Sequence, residues 1–147
     1  MRVHAAVAPL LLLLLLLAGC GDGGLSKSEL VAEGDKICSR VNKEIAKEPD
    51  PESAADLERL AKRTVEISDP AIEDMEALEP SDDVKKDFDA FVASLKEQRD
   101  LTKQIGEAAG AGDNDQIQKI GTEAQKAQAE YQKLSAKIGF KQCGGGN

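Results

Sequence analysis

The stretch Asp113–Ile138, DNDQIQKIGTEAQKAQAEYQKLSAKI, carries the most regular hydrophobic pattern in this chain. Its apolar side chains recur at alternating intervals of three and four residues, at Ile117, Ile120, Ala124, Ala127, Tyr131, Leu134 and Ile138. This spacing places them on one face of an α-helix. Asp113 with Gln116 is typical of a helix start, and Gly139 with Phe140 is typical of a helix end. The stretch therefore predicts an amphipathic helix whose apolar face packs against other helices.

A first helix is predicted shortly after the N-terminal region. Ser26 and Glu29 have the spacing of a capping box, in which each side chain accepts a hydrogen bond from the backbone N–H of the other residue. From Leu30 an apolar stripe follows at helical spacing and includes Cys38. The helix is expected to stop by Glu48, because residues that precede proline disfavour the helical conformation.

A second helix is predicted in the region bounded by prolines. We expect Asp50 to be its N-cap and Pro51 its first helical residue. The apolar stripe keeps its phase across Pro70, which favours one helix kinked at this proline over two separate helices. Pro80 then ends it.

A third helix is predicted to start with Ser81 as its cap. Its stripe consists of Val84, Phe88, Phe91, Leu95, Thr102 and Ile105. We expect this helix to fray in the glycine-rich segment 106–112 before the last helix begins. Four helices with short connections predict an all-α fold, an antiparallel up-down four-helix bundle.

The N-terminus has the layout of a secretory signal peptide, with Arg2 ahead of an apolar run that contains eight consecutive leucines. This run is too short to be a comfortable transmembrane span, which needs about 20 residues. Its end, Leu17–Cys20 (LAGC), resembles the lipobox of bacterial lipoproteins. The resemblance implies cleavage before Cys20 and a diacylglycerol group on its sulfur, and two acyl chains suffice for stable anchoring. An ordinary secretory signal or an uncleaved signal anchor is the alternative.

The sequence is accordingly divided into four parts. Residues 1–19 form the signal peptide, and residues 20–25 hold the lipidated cysteine and a glycine-rich tether. Residues 26–140 form the four-helix domain. Residues 141–147 form a tail with one cysteine and a disordered, glycine-rich end.

Cys38 and Cys143 remain as a pair once Cys20 is assigned to the lipid. Outside the cytoplasm such a pair is expected to form a structural disulfide. A redox pair is the alternative, but the C-x-x-C arrangement is missing. Cys38 lies about 18 Å along the first helix, whereas the tail after Gly139 spans at most roughly 16 Å. The disulfide therefore requires that the last helix ends partway up the first one, or that its last turn folds back.

Composition and the missing motifs argue against several functions. The precursor has a net charge of −8, which disfavours nucleic acid and anionic lipid surfaces as partners. The single histidine, His4, belongs to the signal peptide, so the mature chain has no imidazole for a catalytic triad or a His-bearing metal site. We therefore expect no enzyme, no cofactor and no metal ligand.

Three features leave a binding role open. The stretch from Glu66 to Asp89 holds ten carboxylates against two lysines and could bind a cation such as Ca²⁺, although a solvated face with helix-start charges is the favoured interpretation. The segment Asp113–Asp115 imitates a calcium loop but is better explained by capping. A ligand pocket lined by the aromatic residues Tyr131, Phe88 and Phe91 is also conceivable.

The mature sequence resembles small actinobacterial-type envelope lipoproteins of uncharacterised function. The likeness is carried by SKSEL at 26–30 leading to Cys38, by Leu78-Glu79-Pro80, by Gly112-Asp113, and by Gly139-Phe140 leading to Cys143. It implies a disulfide-linked helical domain outside the membrane and transfers no binding or catalytic residue.

The expected function is that of a lipid-anchored extracytoplasmic protein on the cell membrane. Its helical domain would be a non-enzymatic interaction or structural module for an unknown envelope protein or wall component. The alternative is a lipoprotein that binds a small ligand or a divalent cation.

Overall fold

The structure, a computed structural model, describes residues 23–144. Within this range the chain forms four helices, namely α1 (Lys27–Ile45), α2 (Ala54–Glu76), α3 (Asp82–Ala111) and α4 (Asn114–Ile138). Helices adjacent in sequence pack side by side, most closely α2 on α3 and α3 on α4. The predicted all-α, up-down four-helix bundle is confirmed. The signal peptide and Cys20 lie outside the described residues, as do the last three residues of the tail.

Local capping signals placed three of the helix ends correctly. The N–H of Ser26 donates to Glu29 Oε2 at 2.9 Å, and the N–H of Glu29 donates to Ser26 Oγ at 3.4 Å. At the start of α4, Asp113 Oδ1 accepts the N–H of Gln116 at 3.0 Å. Gly139 ends α4 in the left-handed conformation with φ 102°. Each side chain or glycine satisfies backbone groups that the helix itself leaves free.

The predicted start of α2 is wrong. The N-cap is Ser53 rather than Asp50, and Pro51 precedes the helix. The Ser53 hydroxyl accepts the N–H of Asp56 at 3.1 Å and donates to the Asp56 carboxylate at 2.7 Å. This reciprocal pairing three residues apart fixes the helix start. Further along, α2 continues through Pro70 as the single helix expected from the phase of its stripe; a bend there stays a prediction.

The predicted fraying of α3 is also wrong, because the helix continues to Ala111. Gly106 lies where α2 and α3 approach closely, and a Cβ on it would come within 2.8 Å of the Ala61 Cβ. The glycine therefore serves the contact between helices instead of breaking the helix. At the other end Ser81 occupies the N-cap position as expected, but its hydroxyl donates to Asp83 instead of capping.

The buried apolar residues form two clusters along the bundle. One lies around Phe91, whose ring centroid is 5.4 Å from that of Tyr131 and 4.9 Å from that of Phe140. It draws on all four helices and the tail, and includes Leu30, Met75, Val84, Phe88 and Ile138. The second cluster comes from α3 and α4 alone and consists of Leu101, Ala108, Ile120 and Ala127. The first helix contributes to only one end of the core.

The C-terminal tail folds against α1 and carries the disulfide. Cys38 and Cys143 are bonded, with their Cα atoms 5.1 Å apart. The carboxylate of Asp35 accepts the N–H groups of Lys141 at 2.9 Å and Gln142 at 2.8 Å. Because the Lys27 ammonium donates to the carbonyl of Lys137, α4 ends beside the first turns of α1. Of the two arrangements that the disulfide was expected to require, the structure has α4 ending beside Val31 in the early part of α1, and the tail continues from there to Cys38.

The segment before α1 is also fixed to the bundle. The N–H of Leu25 donates to the Glu79 carbonyl at 2.7 Å, and the N–H of Ser81 donates to the Leu25 carbonyl at 2.9 Å. The described chain therefore begins beside the α2–α3 turn.

Replacing Gly34 should destabilise the protein, because an added Cβ would lie 2.4 Å from the Phe140 ring. We expect Gly34→Ala to lower the free energy of unfolding by about 1–3 kcal/mol. Gly121→Ala is the matched control, since nothing lies within 4 Å of a Cβ there. Alanine at position 121, in the interior of α4, should raise the free energy of unfolding by about 0.5–1 kcal/mol. Denaturant titration measures both, and shifts of the same sign would contradict the assigned contact.

Candidate ligand cavity

A cavity of about 270 Å³ lies between the four helices. Its volume is close to the lower end of the range for small-molecule sites, about 300–1,000 Å³. It is also well above the roughly 150 Å³ at which an apolar cavity already takes up benzene. The apolar part of its wall consists of Ile37, Cys38, Val41, Ile45, Ala71, Ile72, Met75, Leu95 and Tyr131. The space is large enough for a compact organic molecule.

The cavity lies where α1 and α4 stand apart. Helix α4 contributes only Gln128 and Tyr131 to the wall. At the end of the bundle where α4 stops, the ring of Phe140 fills the space beside Gly34, and Cys143 is buried there. Cys38 belongs both to the cavity wall and to the disulfide. The disulfide that joins the tail to α1 therefore lies at the wall of the cavity.

Most polar groups of the wall are uncharged. They are the amides of Asn42, Gln98 and Gln128 and the hydroxyls of Thr64, Ser68 and Thr102. The Ser68 hydroxyl donates to the Thr64 carbonyl at 2.7 Å, and that of Thr102 to the Gln98 carbonyl at 2.9 Å. These hydroxyls keep free acceptor capacity, and the amides offer both donors and acceptors.

Arg99 is the one charged side chain among the described residues that line the cavity. Its Nη1 donates to Asp69 Oδ1 at 3.0 Å. Its Nε lies 2.8 Å from Asp100 Oδ1, within ion-pair distance but without the angle of a hydrogen bond. Two carboxylates thus flank the single guanidinium.

Tyr131 is the aromatic residue of the wall. Burial raises the pKa of its hydroxyl to about 12, and the nearby negative charge of Asp35 adds to this shift. The hydroxyl therefore stays protonated and uncharged at neutral pH.

The structure brings together only some of the residues proposed from the sequence. Tyr131 lines the cavity, but Phe88 and Phe91 pack in the core and are absent from the wall, so the aromatic pocket that the sequence left conceivable shares only one of its three members with the cavity. Most of the wall comes from α1, α2 and α3. Polar residues in phase with apolar stripes, such as Ser68 and Thr102, belong to this wall, but such a pattern does not show that the helices leave a space between them.

In the acidic stretch from Glu66 to Asp89, as in the rest of residues 23–144, no three His, Cys, Asp or Glu side chains are grouped closely enough to hold a metal ion. Six of its ten carboxylates pair with lysine or arginine instead. These are Glu66 with Arg63, Asp69 with Arg99, Asp74 with Arg40, Glu76 with Lys96, Asp87 with Lys137 and Asp89 with Lys85. The Asp113 carboxylate caps α4.

None of the helices within residues 23–144 has both the length and the apolar character of a membrane span. Comparison of the chain with protein-family models, curated proteins and solved structures gives no significant match.

The Tyr131 hydroxyl should ionise at a higher pH in the folded protein than in the unfolded chain. It is the only tyrosine, and the chain has no tryptophan, so phenolate absorbance reports it alone. We expect a midpoint near pH 12 when folded and near pH 10 in denaturant.

The raised pKa also links this group to stability. Its contribution is complete below pH 10 and is lost as the pH rises towards 12, because the unfolded chain gives up the proton first. In Tyr131→Phe, the free energy of unfolding should not show this part of the decrease between pH 10 and pH 12. A folded midpoint near pH 10 would contradict the burial of the hydroxyl.

Proposed function

We propose that this chain is a lipid-anchored, extracytoplasmic, non-enzymatic protein whose helical domain binds a small, mostly apolar molecule between its four helices. The observation that carries the proposal is the 270 Å³ cavity. The cavity is half open, so without a guest its apolar wall is exposed to water. A guest that occupies the space would cover this wall, and the burial of apolar surface would favour its binding.

The composition of the wall supports a small organic guest over an ion. Apolar side chains make up most of the surface, with a few amides and hydroxyls between them. This is the usual composition of small-molecule sites, in which polar groups orient a ligand that is bound mainly by apolar contact. The divalent-cation alternative has no such support from the described carboxylates.

The proposed location rests on the sequence and on the disulfide. Leu17–Cys20 resembles a lipobox, and persistent disulfides belong to oxidising compartments outside the cytoplasm. Leu25 is bonded to the α2–α3 turn. With four residues between Cys20 and Leu25, the proposed anchor would hold this turn near the membrane and leave the α3–α4 turn directed away from it.

Native mass spectrometry of the protein extracted from its own membrane tests both parts of the proposal. We expect a covalent diacylglycerol on Cys20 and, at low collision energy, an additional non-covalent mass. Ala71→Leu should abolish the non-covalent mass, because Ala71 lines the cavity and the larger side chain would fill it. Ala90→Leu, at an exposed position of α3, is the matched control and should keep it.

The two parts can fail separately. A chain without lipid on Cys20 would contradict the anchor. A chain without any guest, or a guest that persists in Ala71→Leu, would contradict binding in the cavity.

A further inference from the structure

We infer that the cavity selects an uncharged ligand and rejects both anions and cations of the same shape. This inference rests on the proposed function, because it specifies which molecule the cavity would take. It is drawn from the charges at the wall and their partners.

Among the described residues, an anion would find only one positive group at the wall, Arg99, and two carboxylates already lie beside it. Asp69 and Asp100 both lie within ion-pair distance of its guanidinium. An incoming carboxylate would have to compete with these two carboxylates while lying close to their charges. It would also lose its hydration on entering an apolar space, and the neutral amides and hydroxyls of the wall offer no opposite charge to compensate for that loss.

Binding of a cation in the cavity is also disfavoured. No carboxylate is among the described residues that line the cavity, and the nearest charge at the wall is the positive one of Arg99. A bound ammonium group would lose its hydration in this apolar space, and the two carboxylates nearest to it, Asp69 and Asp100, are already paired with Arg99. An anion is therefore opposed by repulsion and desolvation, and a cation by desolvation.

An uncharged guest meets none of these costs. The amides of Gln98 and Gln128 can donate to or accept from a neutral polar group such as an ester or an amide, while that of Asn42 already donates to the Gln142 carbonyl at 2.8 Å. The hydroxyl of Tyr131 remains uncharged as well. The ligand class that fits is a compact apolar molecule with one or two neutral polar groups.

Three probes of equal chain length test this selectivity. Equilibrium dialysis at neutral pH measures the uptake of methyl octanoate, octanoate and octylammonium by the purified full chain. The lipid-anchored chain is kept in solution with detergent, which also takes up the probes. Uptake measured with Ala71→Leu in the same detergent is therefore subtracted as background. We expect methyl octanoate to bind at least tenfold more tightly than either charged probe.

A substitution that changes one charge beside the cavity tests the role of the carboxylates at Arg99. Asp69→Asn removes one of the two carboxylates that neutralise Arg99 and should strengthen octanoate binding severalfold, with methyl octanoate unchanged. Asp74→Asn makes the same charge change at an ion pair with Arg40 that does not line the cavity, and should leave all three affinities as they were.

The outcomes separate this inference from the proposed function. A charged probe that binds as tightly as the ester would overturn the inference while leaving a ligand-binding cavity. The same holds if Asp69→Asn and Asp74→Asn change octanoate binding equally. If no probe binds above the Ala71→Leu background, both the inference and the proposed function fail.

Discussion

The position of α1 depends on the covalent bond between Cys38 and Cys143. This helix buries few residues of its own, and its packing against α2 is less extensive than the packing within α2, α3 and α4. The disulfide joins residues 105 positions apart. In the chain-entropy model, cross-linking a loop of this size stabilises the folded state by roughly 4–5 kcal/mol. The hydrogen bonds of Asp35 to the tail and the contact of Phe140 with Gly34 place the bonded segment.

The disulfide also adjoins the cavity. Cys38 belongs both to the disulfide and to the cavity wall, and α1 ends at Ile45, another residue of the wall. The side chain of Phe91 is fully buried, whereas the cavity lies beside Cys38. The bond that joins the tail to α1 therefore lies at the edge of the proposed binding site.

The sequence predicts most of the fold because the deciding signals are local. Helical periodicity and capping pairs depend on residues within one or two turns, so the four helices, the Ser26 and Asp113 caps and the Gly139 terminus could be predicted. The start of α2 was missed because two capping residues compete within a few positions, and only the Ser53 hydroxyl finds a partner. The role of Gly106 depends on α2, which is distant in sequence, and no local rule reveals it.

The disulfide could be predicted by eliminating the third cysteine, whereas the cavity could not be predicted. A void is a property of the distance between helices, and apolar stripes look the same whether or not their side chains meet.

Hydrogen–deuterium exchange of the Cys38→Ala/Cys143→Ala variant tests the dependence of α1 on the tail most directly. If the tail holds α1 in place, amides of α1 lose protection in this variant while those of α3 and α4 keep it. Unchanged protection of α1, or an equal loss in all four helices, would contradict it.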